Sequence, residues 1–228
     1  MVDWIEGPFA ALDFETTGTN PLLARPVEVA FAKVDAKGNI MRGTYHKLVN
    51  SYVEIPEDAT KIHGITNARV EKYGAPVDQV VWTLSNLMNE AKQEGTPVVI
   101  YNAPYDWTIL KEELNRWYVV ASLSIPYVID PLVMDRMIDK FRKGGHKLTN
   151  VAESYGITLT NAHSALEDAV AAAKLARAML RKFWGDDKKL TLADISRQHK
   201  DWHNAWKTNY VDYWKKKGAE RSVLEWPF

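Results

Sequence analysis

The segment that most constrains this chain is its first apolar run. Phe9-Ala10-Ala11-Leu12-Asp13-Phe14-Glu15 is apolar, then alternates, and ends on two carboxylates. A short apolar run of this kind reads as a buried strand. Side chains alternate across a strand, so Asp13 and Glu15 share one face. Two adjacent carboxylates repel each other unless something neutralises them. Divalent cations such as Mg2+ and Mn2+ favour oxygen ligands of this type. The plain alternative is a solvated strand end that carries two acidic residues. Thr16 to Pro21, which follow, are turn chemistry.

The remaining pattern builds a sheet around that strand. Pro26 to Lys33 alternates and predicts a second strand, Ala36 to Asn39 a hairpin turn, and Ile40 to Val49 a third strand. Residues from Ile55 to Thr66 read as a loop. Beyond Pro76, the spacing of Val77, Val80, Val81, Leu84, Leu87 and Met88 predicts a helix up to Gly95. Pro97 to Tyr101 and Tyr127 to Ile129 are short apolar strands of the buried, parallel kind. Asp106 to Trp117, Pro131 to Phe141 and Thr149 to Tyr155 read as helices, with Gly144-Gly145 in a loop between the last two. A further helix starts near His163. Ser164 and Glu167 have capping-box spacing there, and the alanine-rich run to Leu180 is a strong helix former. A meander followed by alternating helices and strands predicts an α/β protein with one mixed five-stranded sheet flanked by helices. Gly185 to Lys189 is the best boundary. It divides a domain over residues 1–185 from a Trp-rich helical extension over 186–228, expected to pack on it.

Composition narrows the chemistry. The chain has no cysteine, so any metal sits on oxygen or imidazole. No run of eighteen apolar residues predicts a membrane span, and the acidic N-terminal residues lack a signal-peptide layout. A cytoplasmic, reducing setting is the expectation. Net charge is zero, which by itself argues mildly against a nucleic-acid protein. The sum hides an asymmetry: residues 181–228 carry eleven Lys/Arg against seven Asp/Glu, and residues 1–180 carry eighteen against twenty-two.

Three more residues carry candidate chemistry. Asp106 follows the apolar strand in Tyr101-Asn102-Ala103-Pro104-Tyr105-Asp106, and residues at the carboxyl ends of α/β strands line the binding crevice. An acidic residue favoured by a helix dipole is the alternative. His163 precedes the alanine-rich helix and Asp168 lies one turn into it. Singly, each admits an ordinary structural reading.

Together they resemble the DnaQ-like exonucleases of the DEDDh type, the family of the proofreading subunit of bacterial DNA polymerase III. Asp13 to Gly18 is similar to that family's first motif, Asn102 to Asp106 to its second, and His163 to Asp168 to its third. Ile62-His63-Gly64-Ile65-Thr66 matches a segment common in the proofreading branch. The agreement spans roughly residues 9–180. The resemblance implies an RNase H-like fold and hydrolysis of single-stranded nucleic acid from the 3′ end, assisted by two divalent cations, Mg2+ with Mn2+ able to substitute. It assigns Asp13, Glu15 and Asp168 as ligands of one cation, Asp13 as a bridge to the second, and Asp106 as holder of bound water. It makes His163 the general base, on a loop that lets it swing in. Thr16, Thr17 and Gly18 would hold the terminal nucleotide, with Tyr105, Asn102 and His63 as further substrate contacts. Tyr101 stands where the proofreading branch often has histidine, which touches substrate detail and not the metal ligands.

The extension holds Trp202, Trp206, Trp214 and Trp226. Ile195, Gln198, Trp202, Trp206, Tyr210 and Tyr213 recur at helical spacing, so an amphipathic helix is expected from Leu192 to Lys217, ending in lysines and Gly218. Packing on the preceding domain, protein docking and base stacking are its three readings. Similar tails occur in some actinobacterial and phage members of the family. The His-Gly-Ile-Thr segment favours DNA over RNA. The alternatives are an exoribonuclease of the oligoribonuclease or RNase T type, and a subunit that docks to a DNA polymerase or replisome.

Overall fold

The computed structural model describes residues 3–118, 126–159, 163–187 and 189–227. A short α1 (Asp3–Glu6) leads into β1 (Phe9–Thr16), β2 (Pro26–Val34) and β3 (Tyr45–Asn50). Next come α2 (Glu57–His63), α3 (Asn67–Tyr73), β4 (Ala75–Pro76) and α4 (Val77–Glu94). The chain then alternates through β5 (Val98–Val99), α5 (Ala103–Trp117), β6 (Val128–Ile129) and α6 (Pro131–Ile138). It closes with α7 (Leu148–Ser154), α8 (Ala165–Trp184) and α9 (Leu192–Lys216).

The sheet order is β4-β3-β2-β1-β5-β6. Only β2 runs against its neighbours; the other pairs are parallel. The chain builds outward from β1 on one side through β2 and β3, then crosses to place β5 on the other. The carboxyl end of β1 is therefore a topological switch point, where α/β sheets open a crevice. A register shift between Glu15 and Thr16 ends the β1 ladder at that spot.

Each face of the sheet has its own core. Leu12 and Phe14 of β1 pack with Val80, Val81, Leu84, Ile109 and Leu110 from α4 and α5. The opposite face presents Ala11, Ala30 and Ala32 to Ala169, Ala172, Ala173 and Ala176 of α8. Alanine on both surfaces removes the bulk that ordinarily separates a helix from a sheet, and close packing then draws the two backbones together. Asp13 and Glu15 share the Ala11 face by alternation, so α8 is held against the acidic pair.

Beyond shifts at element ends, such as α6 stopping at Ile138 where Phe141 was expected, the structure departs from the sequence reading in four places. The sheet has six strands where five were expected, because Ala75–Pro76 adds a two-residue pairing to β3. The third strand starts at Tyr45, since Ile40 makes only an isolated bridge to Val34 before the Gly43 turn, with φ 85°. The expected loop around His63 contains α2, and α3 follows directly after it. Glu57 and Asp58 in the first turn of α2 and Lys61 in its last complement the helix dipole. Gly64 ends α2 in the left-handed region at φ 72°, and the Thr66 side chain caps α3. The Ser164 cap does not form: its side chain makes no capping hydrogen bond. Glu28 of β2 takes that role, its Oε2 accepting from the Ala165 amide at 2.9 Å.

The expected C-terminal helix is present as α9, opened by a capping box between Thr191 and Asp194. It lies against α6 and β6. Its first half is built in, with Leu192, Ile195, His199 and His203 buried. The chain then returns, and Trp226 is buried in the cluster shared with α4 and α5. Its ring lies 6.0 Å from that of His199 and 5.4 Å from that of His203.

Candidate active site

Glu15, His163 and Asp168 offer ligand atoms that all lie within 4.8 Å of one another. β1 supplies the first, α8 the last, and the backbone preceding α8 the histidine. His163 adopts φ 70°, an uncommon value for a residue with a side chain. Its amide donates to Asp168 Oδ2 at 3.3 Å. The histidine ring thus already faces the carboxylates, without a swing. Residues 160–162, just before it, lie outside the described residues.

Asp13 and Asp106 complete the acidic set. Asp106 lies in the first turn of α5, 4% exposed, and its Oδ1 accepts from the Phe14 amide at 3.1 Å. That bond ties the second motif to the backbone between Asp13 and Glu15. Burial pushes Asp13 well above the usual carboxylate range, and Asp106, Asp168 and Glu15 add to the push. Burial does the same to Asp106, against the Phe14 hydrogen bond. Glu15 rises to about 8, from burial first and then from Asp168 and Glu28. Asp168 is also raised, mainly by burial, and its Oδ1 is buried with no hydrogen-bond partner. A set of oxygens plus one imidazole, crowded with negative charge and holding an unsatisfied buried oxygen, fits a hard divalent cation.

The six expected substrate contacts meet in one cleft. Thr16, Thr17, Gly18, His63, Asn102 and Tyr105 line a cavity of about 600 Å3 together with Glu15, and Pro56, Ala59 and Ile62 lend it an apolar wall. Tyr105 acts through its hydroxyl, which lies 2.6 Å from Thr16 Oγ1 and donates to the Gly18 carbonyl. It thereby fastens the loop after β1 to α5. Burial raises the Tyr105 hydroxyl to about 12, so it remains a donor at neutral pH. His63 Nδ1 accepts from the Ile65 amide, its Nε2 has no partner, and burial lowers its pKa. The Nε2 atom is itself buried, so the ring meets the cleft as a wall and not through a free nitrogen.

Four buried carboxylates outside the sequence-derived set hold the site together. Asp130, fully buried, accepts from the amides of Asn102 at 3.0 Å, Ala103 at 2.9 Å and Leu132 at 2.9 Å. It joins the starts of α5 and α6, and burial raises it to about 6. Glu28 is paired with Glu15 across the β1–β2 ladder, accepts from Ala165 and meets His46 Nε2 at 3.0 Å. Burial pushes Glu28 up, but the His46 and Ala165 bonds outweigh it and its pKa is lowered. Glu113 on α5, fully buried, pairs with Arg25 and anchors the far end of the Thr16–Arg25 loop. Asp135 on α6 binds Arg142 and His146. Glu28 alone had a readable signal, a carboxylate in the otherwise apolar stretch Pro26 to Ala32.

This sheet order, with an acidic cluster at the carboxyl end of β1 under a flanking helix, defines an RNase H-like exonuclease domain. The chain belongs to the RNase T-type exonuclease family, whose family model matches residues 10–176. It is similar to the PolC-type DNA polymerase III of Caldanaerobacter subterraneus, with 29% identity over 178 residues, 78% of this chain and 12% of the relative. It is similar to exodeoxyribonuclease I of Haemophilus influenzae at 25% identity, covering 76% of this chain and 40% of the relative. The 3′-5′ exonuclease DinG of Staphylococcus aureus shares 27% identity over 77% of this chain and 18% of its own length. The chain thus spans less than half of each of these relatives. Among solved structures, an exonuclease I superposes with TM-score 0.67 at 20% identity, over 85% of this chain and 44% of that one. E. coli exonuclease I bound to a dT13 oligonucleotide gives TM-score 0.63 at 22% identity, over 77% and 41%. These two likenesses establish the fold.

Proposed function

We propose that this chain is a metal-dependent exonuclease that removes nucleotides from the 3′ end of single-stranded DNA and releases nucleoside 5′-monophosphates. The observation that carries the reading is the convergence of Glu15, His163 and Asp168 within 4.8 Å at the rim of the cleft lined by Thr16, Asn102 and Tyr105. Asp13, Glu15 and Asp168, with Asp106 beside them, would hold two Mg2+ or Mn2+ ions, which supply charge neutralisation at the phosphate and lower the pKa of water.

The chain's own groups would divide the remaining work. The Thr16–Gly18 loop, fixed by the Tyr105 hydroxyl, orients the terminal nucleotide. The His63 ring and the apolar wall of Ala59 and Ile62 meet its sugar or base. His163, exposed at the rim of the cluster, accepts the proton of the attacking water at a ring nitrogen, as imidazole bases commonly do. The burial that raises the carboxylates also keeps bulk water from competing for the phosphate. DNA rather than RNA is supported by the PolC-type and exodeoxyribonuclease I relatives. A DNA polymerase as partner follows only from the former. Among the described residues no helix is long and apolar enough to cross a membrane; a cytoplasmic location is part of the proposal.

Degradation of a 5′-labelled oligonucleotide tests the reading. A ladder that shortens from the 3′ end with Mg2+ and stops with EDTA is expected, and 5′-monophosphates should be the released product. Product with a 3′-phosphate would contradict the mechanism.

A further inference from the structure

The segment between α6 and α7 reverses the ordinary partition of side chains. Arginine is rarely buried and phenylalanine rarely exposed. Here the Arg142 side chain is only 12% exposed, whereas Phe141 is 86% exposed. Arg142 Nε donates to Asp135 at 2.9 Å, its Nη1 donates to Ser154 Oγ at 3.0 Å, and Asp139 lies 3.6 Å away. His146 Nδ1 meets Asp135 Oδ2 at 2.6 Å, an oxygen it shares with Arg142. Asn150 donates to the Gly144 carbonyl, and Gly144 and Gly145 turn the chain at φ 87° and 82°. The segment is therefore anchored at both ends by polar contacts, with its aromatic ring held outward.

Its charge is as uneven as its packing. Residues 140–147 contain Lys140, Arg142, Lys143 and Lys147 and no carboxylate, in a chain whose net charge is zero. Lys140 Nζ lies 5.7 Å from the Phe141 ring. One hydrogen bond ties the segment to the chain just before the cleft wall. The Tyr101 hydroxyl donates to the His146 carbonyl at 2.6 Å, and Tyr101 directly precedes Asn102, which lines the cavity. A cavity of about 600 Å3 is the size that holds a small ligand, so the rest of a strand has to run over the neighbouring surface.

We propose that residues 140–147 form a strand-binding finger, with Phe141 stacking on a base upstream of the terminal nucleotide and Lys140, Lys143 and Lys147 meeting its phosphates. An exposed ring interleaved with lysines is the general solution for holding single strands without reading sequence. The buried Asp135 pair supplies the rigidity, since a ring held in place loses little freedom on binding. The finger rests on the exonuclease reading for its substrate and on its own geometry for its position.

Fluorescence anisotropy of labelled oligothymidylates tests it, using the full chain in an Asp13→Ala background so that the strand is not consumed. The reference protein should bind an oligomer of about twelve nucleotides more tightly than one of about three. Phe141→Ala should remove at least about fivefold of that gain, and Phe141→Trp should keep it. Replacing Lys140, Lys143 and Lys147 together by alanine should flatten the slope of log affinity against log salt by about 2. Reference behaviour in Phe141→Ala, or a reference protein that does not distinguish the two lengths, overturns the finger. Shortening of the same oligomers by the unmodified chain reports separately. Without shortening, but with the length dependence lost in Phe141→Ala, the nuclease reading falls and the finger stands.

Discussion

The carboxyl edge of the sheet and the C-terminal helix with its returning segment both bury ionisable groups, and they do so with opposite electrostatic results. At the edge, Asp13, Glu15, Asp106 and Asp168 crowd together and each is pushed toward its protonated form. In the tail, His199 and His203 are pushed toward their neutral form and held by backbone carbonyls, His199 by Ile195 at 2.7 Å and His203 by Leu224 at 3.0 Å. The tail arrangement suits neutral rings at neutral pH, where neither histidine needs a counter-ion. The edge becomes comfortable at neutral pH only when cations enter. Strain of that kind is the mark of a site, and its absence in the tail is the mark of structure.

The largest expected effect separates chemistry from packing. His163→Ala should lower turnover by roughly 100- to 10,000-fold, the range for a general base, with little change in melting temperature. A fall below about tenfold in single-turnover assays would remove His163 from that role. Trp226→Ala should do the reverse. Truncating a buried tryptophan costs about 3–5 kcal/mol, read by urea denaturation, while the turnover of the folded fraction stays within a fewfold. If Trp226→Ala abolished activity at full stability, the two regions would be one functional unit.

Opposite pH slopes sharpen the contrast. His199 is lowered from 6.5 to about 4 by burial. A histidine held neutral in the fold contributes stability above its unfolded value, and that contribution is lost as pH falls from 6.5 toward 4. The loss is roughly 3 kcal/mol, or on the order of 5–10 °C in a chain of this size. A His199→Phe variant should show a visibly smaller acid slope by calorimetry. Glu15 has the opposite sign. Its folded value of about 8 exceeds the ordinary 4.5, so its contribution is full below 4.5 and is lost as pH rises through 8. With EDTA the protein should therefore lose stability between pH 6 and 8, and Mg2+ or Mn2+ should restore it. Equal melting curves with and without cation at pH 8 would contradict the cation-holding reading.

The smallest expected effects concern two helix starts that look alike in sequence. Thr191→Ala breaks a formed capping box and should cost about 1 kcal/mol. Ser164→Ala removes a side chain that makes no cap and should cost under about 0.5 kcal/mol. Equal costs in chemical denaturation would show that Ser164 caps after all.

That pair also shows where sequence reasoning reached its limit. Local signals were legible: the acidic end of β1, the apolar strands, and the tail helix, expected over Leu192–Lys217 and found over Leu192–Lys216. So was the cleft set, because its members lie in short contiguous motifs. Contacts across the fold were not. Ser164 and Glu167 had capping spacing, but Glu28, 137 residues from Ala165, reaches that helix start first. Asp130, Glu113 and Asp135 belong to no motif, and nothing local tells that each is fully buried. Two-residue strands such as β4 carry no periodicity at all.

The most direct test of the central claim follows 5′-labelled single-stranded DNA and RNA of equal sequence on a gel, with Mg2+, Mn2+ or EDTA, beside an Asp13→Ala control. The expected result is a ladder that shortens from the 3′ end, faster on DNA, absent with EDTA and absent in Asp13→Ala. A ladder that persists in EDTA or in Asp13→Ala, or no ladder on either strand from a folded protein, would contradict it.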